Sequence, residues 1–204
     1  MTRPTCPCRK SDPTVFMMES AEDGLCNDVS GHALIEGNTV ALNGSPGETP
    51  WNSQILVSGS IDTLVQRNRV GVAPDSGNAI FIVEEGRKNE LIGYIHDFPT
   101  YVSRGNVVAD NHITFYDSIS VSGFQSNHGR VQDLVENNRF EGNSINLVQG
   151  TTKRFRIGSE YLDLEQAQQR GQEKHSRAEF VPSGTSRSFD MKCPPNVGRR
   201  EERK

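Results

Sequence analysis

Short apolar pairs recur along the chain, each followed at a fixed interval by an asparagine and then another apolar residue. Leu64–Val70 reads LVQRNRV, Val107–Ile113 reads VVADNHI and Leu134–Phe140 reads LVENNRF, a shared [LV]-V-x-x-N-x-[VIF] pattern. A second pattern follows it. EGNSINLVQG (Glu141–Gly150) is echoed by EGNTVALNG (Glu36–Gly44), preceded by Phe140 and Ile35 respectively. DSISVSG (Asp117–Gly123), QILVSG (Gln54–Gly59) and NAIFIV (Asn78–Val83) are looser relatives. Within these units apolar residues alternate for a few positions and then break at Asn or Gly, which is the period of short strands and not of helices.

Self-similarity at a fixed interval points to a repeating architecture. Asn111 and Asn138, Ile113 and Phe140, Val121 and Val148, and Gly123 and Gly150 are each 27 residues apart. The step from Leu64 to Val107 is 43, which fits two short turns of a repeat or one turn with an excursion. A sandwich would instead show hairpin turns between longer strands, without motif-level repetition. The Asn has a physical reason to recur. It tolerates the left-handed backbone of a sharp bend, and its amide can hydrogen-bond the equivalent Asn of the neighbouring coil. The apolar residue two places later points into a narrow core, and the Gly that closes each unit admits positive φ.

Composition agrees with this picture. Only 33% of the 204 residues are hydrophobic, with 19 Gly and 10 Pro, and the mean hydropathy is −0.60. That mix suits short strands and many turns. A formal charge of −4 and a pI near 5.8 give no global basic field for nucleic acid. No apolar run approaches the roughly 20 residues that span a bilayer, so membrane insertion is not expected. The N-terminal MTRPTCPCRKSDPTVF lacks a secretory h-region, which implies either a cytoplasmic protein or a fragment separated from its signal. The four cysteines are Cys6, Cys8, Cys26 and Cys193. Cys6-Pro7-Cys8 is half of a metal knuckle, but no second pair follows, so no structural metal is expected and the thiol states stay open.

With these motifs in view, the chain resembles the right-handed parallel β-helix (pectate-lyase-like) family of bacterial carbohydrate-associated proteins. YLDLEQAQQRGQEKHSRAEF (Tyr161–Phe180) is similar to the segment that follows the last coils in many bacterial members: a short helix, Gly-Gln-Asp, a His or Asn, a Ser, and an Ala-Asp-Pro-type strand. The matching positions here are Gly171, Gln172, Glu173, His175, Ser176, Ala178 and Glu179. SFDMKCPPNVG (Ser188–Gly198) is similar to the closing stretch of the family. The chain departs from the pattern at Ala167, where an aromatic is usual, and at Glu173 and Glu179, where Asp is commoner. The resemblance implies an all-β fold, a right-handed parallel β-helix of about five coils with a short C-terminal capping helix. Residues 1–24 are expected to be irregular or disordered, 25–158 to form the coils, 159–198 the cap, and 199–204 a charged disordered tail. Within the cap, Asp163 and Gln166 have the spacing of a capping box, Leu162 and Ala167 that of a hydrophobic staple, and Gly171 stops the helix.

On stacked coils, equivalent outward residues form columns. The free position after the repeated Asn holds Arg69, His112 and Arg139, a short basic column suited to the carboxylates of an acidic polysaccharide. The resemblance to a superfamily that contains polyuronate lyases raises catalysis as an alternative. Lys153 and Arg154 in TTKRFRIG are candidates for base and carboxylate neutraliser. Strand alternation places Lys153 opposite Arg154 and Arg156, which weakens that reading. Asp110, Asp117 and Glu136 are candidate calcium ligands for a lyase, but they form no adjacent cluster, and no other cofactor is implied. The acidic signatures of polygalacturonase-type hydrolases are absent, and Asn127 breaks the similarity of Ser126–Arg130 to their Gly-His-Gly. His96 and Asp97 are neighbours in sequence, so on a strand they face opposite ways. No P-loop, G-x-S-x-G elbow or H-E-x-x-H motif is present.

Two functions follow from this. The first is a non-catalytic β-helix module, or a fragment of one, from a bacterial extracellular or surface protein that binds acidic polysaccharide. The alternative is a polysaccharide lyase acting on a polyuronide such as pectate or alginate. Sequence says nothing of oligomeric state, and fold alone does not license an enzyme.

Overall fold

The computed structural model describes residues 24–41, 43–44, 49–72, 77–86, 102–116, 119–148 and 150–182. Cys6, Cys8, His96, Asp97, Asp117 and Cys193 lie outside these residues. So do the proposed N-terminal segment, apart from Gly24, the charged tail, and the cap beyond position 182.

The chain is mostly β. In order, the strands are β1 (Leu25–Asp28), β2 (Leu34–Glu36), β3 (Thr39–Ala41), β4 (Ser53–Ser58), β5 (Leu64–Gln66), β6 (Arg69–Val72), β7 (Asn78–Glu84), β8 (Val107–Ala109), β9 (His112–Phe115), β10 (Ser122–Ser126), β11 (Arg139–Glu141), β12 (Ser144–Leu147), β13 (Phe155–Ile157), β14 (Glu160–Leu162) and β15 (Arg177–Phe180). Two helices are described, α1 (Val131–Asn137) and α2 (Leu164–Gln169), with a 3₁₀ turn at Pro50–Asn52. The strands form three sheets, ordered β1-β4-β7-β10-β13-β14, β11-β8-β5-β2 and β15-β12-β9-β6-β3. All pairings are parallel except β13 with β14. The chain therefore visits the three sheets in the same order four times and then returns through β13 and β15.

The core is a narrow stack between the sheets. Ile35, Val65, Val108 and Phe140 form one inward column, and Val40, Val70, Ile113 and Ile145 another, all buried. β-Branched residues suit this space because they fill a pleated surface with little rotamer entropy to lose. At the C-terminal end Phe124, Phe140 and Phe155 pack edge-to-face, with ring centroids 5.1–5.9 Å apart.

Two corners of the circuits are polar, and the asparagines sit there. Between the second and third sheets, Asn38, Asn68, Asn111 and Asn143 form a ladder. In each step the backbone N–H and the side-chain amide of one Asn both donate to Oδ1 of the next, at 2.9–3.1 Å. The residue before each Asn is left-handed: Gly37, Arg67, Asp110 and Gly142 have φ of 68°, 53°, 55° and 66°. At 142 the absence of a Cβ also leaves room for Asp110, whose Oδ1 would lie 2.5 Å from one. The corner before the second sheet is built from Thr63, Asn106 and Asn138, with Asn138 Oδ1 accepting from Asn106 and Asn106 Oδ1 from Thr63.

These registers correct the expected repeat. Val107 pairs with Arg139 and His112 with Ser144, a step of 32 residues and not 27. Asn138 stacks on Asn106, and the partner of Asn111 is Asn143. Phe140 is a core residue as expected, but in the column of Val108, not of Ile113. The 43-residue step is a single circuit, since Leu64 pairs directly with Val107.

The last circuit is closed by α2 and its flanks. The capping box is present in both directions: Asp163 Oδ1 accepts from Gln166 N (2.9 Å), and Gln166 Oε1 accepts from Asp163 N (3.1 Å). Leu162 and Ala167 are both buried at the staple positions. Gln172 then ends the first corner, accepting from Phe140 N and donating to Val135 O and Asn138 O. Glu173 and Ser176 end the second. Asn143 Nδ2 donates to Glu173 Oε2 at 3.0 Å, Ser176 Oγ donates to the same oxygen, and Asn143 N donates to Ser176 Oγ at 2.8 Å. Glu173 is 1% exposed. Burial pushes its carboxyl above the ordinary range, and the hydrogen bonds from Ser176 and Asn143 oppose that only in part.

Candidate functional site

Because strands in the third sheet pair in parallel and in register, one residue from each lines up across its outer face. Thr39, Arg69, His112, Ser144 and Arg177 occupy consecutive positions of one row on β3, β6, β9, β12 and β15. Their neighbours Val70, Ile113 and Ile145 point into the core, so alternation turns this row outward. Arg69, His112 and Arg177 are exposed. Adjacent members are about 4.8 Å apart along the sheet, which makes the run from Arg69 to Arg177 about 14 Å.

Most other exposed arginines already have a carboxylate. Arg67 pairs with Glu36, Arg139 with Glu141 (3.1 Å) and Arg170 with Glu160 (2.9 Å). Among the described residues neither Arg69 nor Arg177 has such a partner; Arg177 Nε donates to Ser144 Oγ at 3.0 Å. His112 lies between them, its Nε2 3.0 Å from the Asn146 amide nitrogen. Its basicity is depressed below that of a free imidazole, first by partial burial, then by the charges of Arg69 and Arg177, with Glu179 acting the other way.

The expected column is thus brought together in two of its three members. Arg139 stands in the second sheet, in the row of Leu34, Leu64 and Val107, and is tied to Glu141. Its place is taken by Arg177, which the motif did not flag because Ser176 stands where the other circuits have Asn. The catalytic candidates are not brought together. Lys153 is exposed, whereas Arg154 is 4% exposed, its guanidinium 5.0 Å from the centroid of Phe115 and donating to Ser120 O at 2.9 Å. A guanidinium stacked on a ring and held by a carbonyl serves packing. Arg156 is likewise buried, 5.0 Å from the centroid of Phe81. Asp110 is at a corner and Glu136 on α1, and among the described residues no three His, Cys, Asp or Glu gather into a metal site. No helix among them is long and apolar enough to cross a membrane.

One feature of the surface escaped sequence reasoning. An open cleft of ≈ 440 Å³ lies against the first sheet, with Trp51 and Tyr161 on its walls beside Gln125, Asn127 and Arg156. It packs over a small apolar cluster of Leu56, Phe81, Val83 and Val121, separate from the main core. Aromatic faces beside amides suit the apolar face and hydroxyl edge of a sugar ring.

No family model, curated protein or solved structure matches the chain.

Proposed function

We propose that the molecule is a short right-handed parallel β-helix acting as a non-catalytic module that binds acidic polysaccharide, as part of an extracellular or surface protein. Three parallel sheets visited in a fixed order support the architecture, and the strong preference of parallel crossovers for the right hand supports its sense. The observation that carries the binding reading is the row of Arg69, His112 and Arg177, with two guanidiniums that have no carboxylate partner among the described residues, on one exposed sheet face. A linear polyanion laid across the strands meets these groups at regular intervals, and each guanidinium can take a carboxylate bidentately. The cleft beside Trp51 and Tyr161 offers a second contact for sugar rings on a different face.

The test is binding of polygalacturonate by the full chain and by single alanine variants. Arg69→Ala and Arg177→Ala should each weaken binding several-fold, and added salt should weaken the wild type, since exposed charges are screened within about 10 Å at 0.1 M. Arg139→Ala should bind as the wild type does. Equal affinity for all four proteins would remove the row as the site. Accumulation of an unsaturated uronate during incubation would contradict the non-catalytic reading.

A further inference from the structure

The row is not uniformly charged. Ser144 separates His112 from Arg177, and His112 is the one imidazole in the row. Among the described residues, three neighbouring strands place side chains beside it on this face. β6 contributes Arg69, β12 contributes Ser144 and Asn146, and β15 contributes Arg177 and Glu179. Partial burial depresses the basicity of the imidazole first, and two cations against one carboxylate add to that. Asn146 is arranged to serve either state. With its amide nitrogen toward Nε2 it donates to a neutral ring, and its Oδ1 is a buried atom without a hydrogen-bond partner. A half-turn of the amide brings that oxygen to Nε2, where it accepts the proton of a charged imidazolium.

We infer that His112 makes the row a proton-gated trap, in which protonation joins two separated guanidiniums into one continuous positive stripe that holds an acidic polymer more tightly as pH falls. This rests on the binding reading given above and adds its regulation. The coupling runs in both directions by linkage: a polyanion across the row supplies the negative charge that the free site lacks, so its binding draws a proton onto His112. The proton comes from solvent and bonds to Nε2, with no other bond made or broken.

The probe for the test is dextran sulfate, whose sulfates stay ionised, so that any pH dependence belongs to the protein. Affinity of the full chain is measured from about pH 8 down to about pH 4.5, which extends the usual histidine range downward for a ring of depressed basicity. One further positive charge beside the bound polymer should tighten binding roughly fivefold across that range after allowance for screening. His112→Gln, which keeps an acceptor for the Asn146 amide, should bind at the weak alkaline level throughout. His112→Arg should bind tightly throughout. The imidazole resonances should show the titration midpoint of His112 rising when dextran sulfate is added. A His112→Gln protein with the wild-type pH profile, or an unmoved midpoint, overturns the gate. If instead Arg69→Ala and Arg177→Ala bind as tightly as the wild type at every pH, the row itself is refuted.

Discussion

Replacing Asn111 by Ala tests the ladder where it is most committed. Asn111 Nδ2 donates to Val65 O (3.0 Å) and to Asn143 Oδ1 (3.1 Å), while its Oδ1 accepts from Asn68 N and Asn68 Nδ2, both at 3.0 Å. The side chain is 1% exposed, so water cannot replace these bonds without opening the sheets. Four hydrogen bonds lost at a net of about 1 kcal/mol each, with the Asn68 N–H left buried and unpaired, give a destabilisation of about 4 kcal/mol. Against a total of about 5–15 kcal/mol for a domain, that is a large fraction. Asn38 is the internal control. At the first rung among the described residues, its side chain donates to Glu36 O and Asn68 Oδ1 and, among those residues, supports no further asparagine. Water replaces the exposed bond to Glu36 O, so Asn38→Ala should cost only about 1 kcal/mol for the bond to Asn68. Urea unfolding followed by the fluorescence of Trp51, the sole tryptophan, reads both variants. With a slope of about 2 kcal/mol/M, the Asn111→Ala midpoint should fall by about 2 M and the Asn38→Ala midpoint by about 0.5 M. Equal shifts in the two variants would refute the ladder as a cumulative network.

Glu173 gives a pH prediction. Its folded carboxyl is raised by burial, so the stability it contributes is full below the ordinary carboxyl range and is lost as pH rises through its folded value. Thermal melts should show the wild type weakening over that interval. Glu173→Gln, which stays neutral and can still accept from Asn143, should lack this decline and melt higher at neutral pH. Asp163→Ala removes the N-cap of α2 and should cost about 1 kcal/mol in the same unfolding assay. Lys153→Ala should leave stability unchanged. Arg154→Ala should lower the melting temperature, because it removes the stack on Phe115 and the bond to Ser120.

How much of this was legible follows from where each signal sits. Alternation in LVQ, VVA and RVGV announced short strands, and the recurring Asn announced corners, because both are local properties of the chain. The register was misread because three consecutive circuits have two polar corners five residues apart. Thr63 and Asn68, Asn106 and Asn111, and Asn138 and Asn143 are such pairs, so LVENNRF matched its relatives through the wrong corner. Leu134 and Val135 then belong to α1, a helix that the motif disguised. Glu36-Gly37-Asn38 and Glu141-Gly142-Asn143 were true equivalents, since both hold the left-handed residue before the ladder Asn. The cap was readable because the Asp163–Gln166 box is local. The Trp51 cleft was not. Its walls come from three distant stretches brought together by steps of 30, 25, 42 and 33 residues between paired strands (Leu25 to Ile55, Ile55 to Ile80, Phe81 to Gly123, Gly123 to Arg156), and no single period predicts that assembly.

The claim that the third sheet carries the binding row is tested most directly by an NMR titration of the isotope-labelled chain with oligogalacturonate. Shifts should concentrate on the side chains of Arg69, His112 and Arg177 and on Ser144 between them, while the Nε resonance of Arg139 stays in place. Shifts centred on Arg139, or confined to Trp51 and Tyr161, would contradict it.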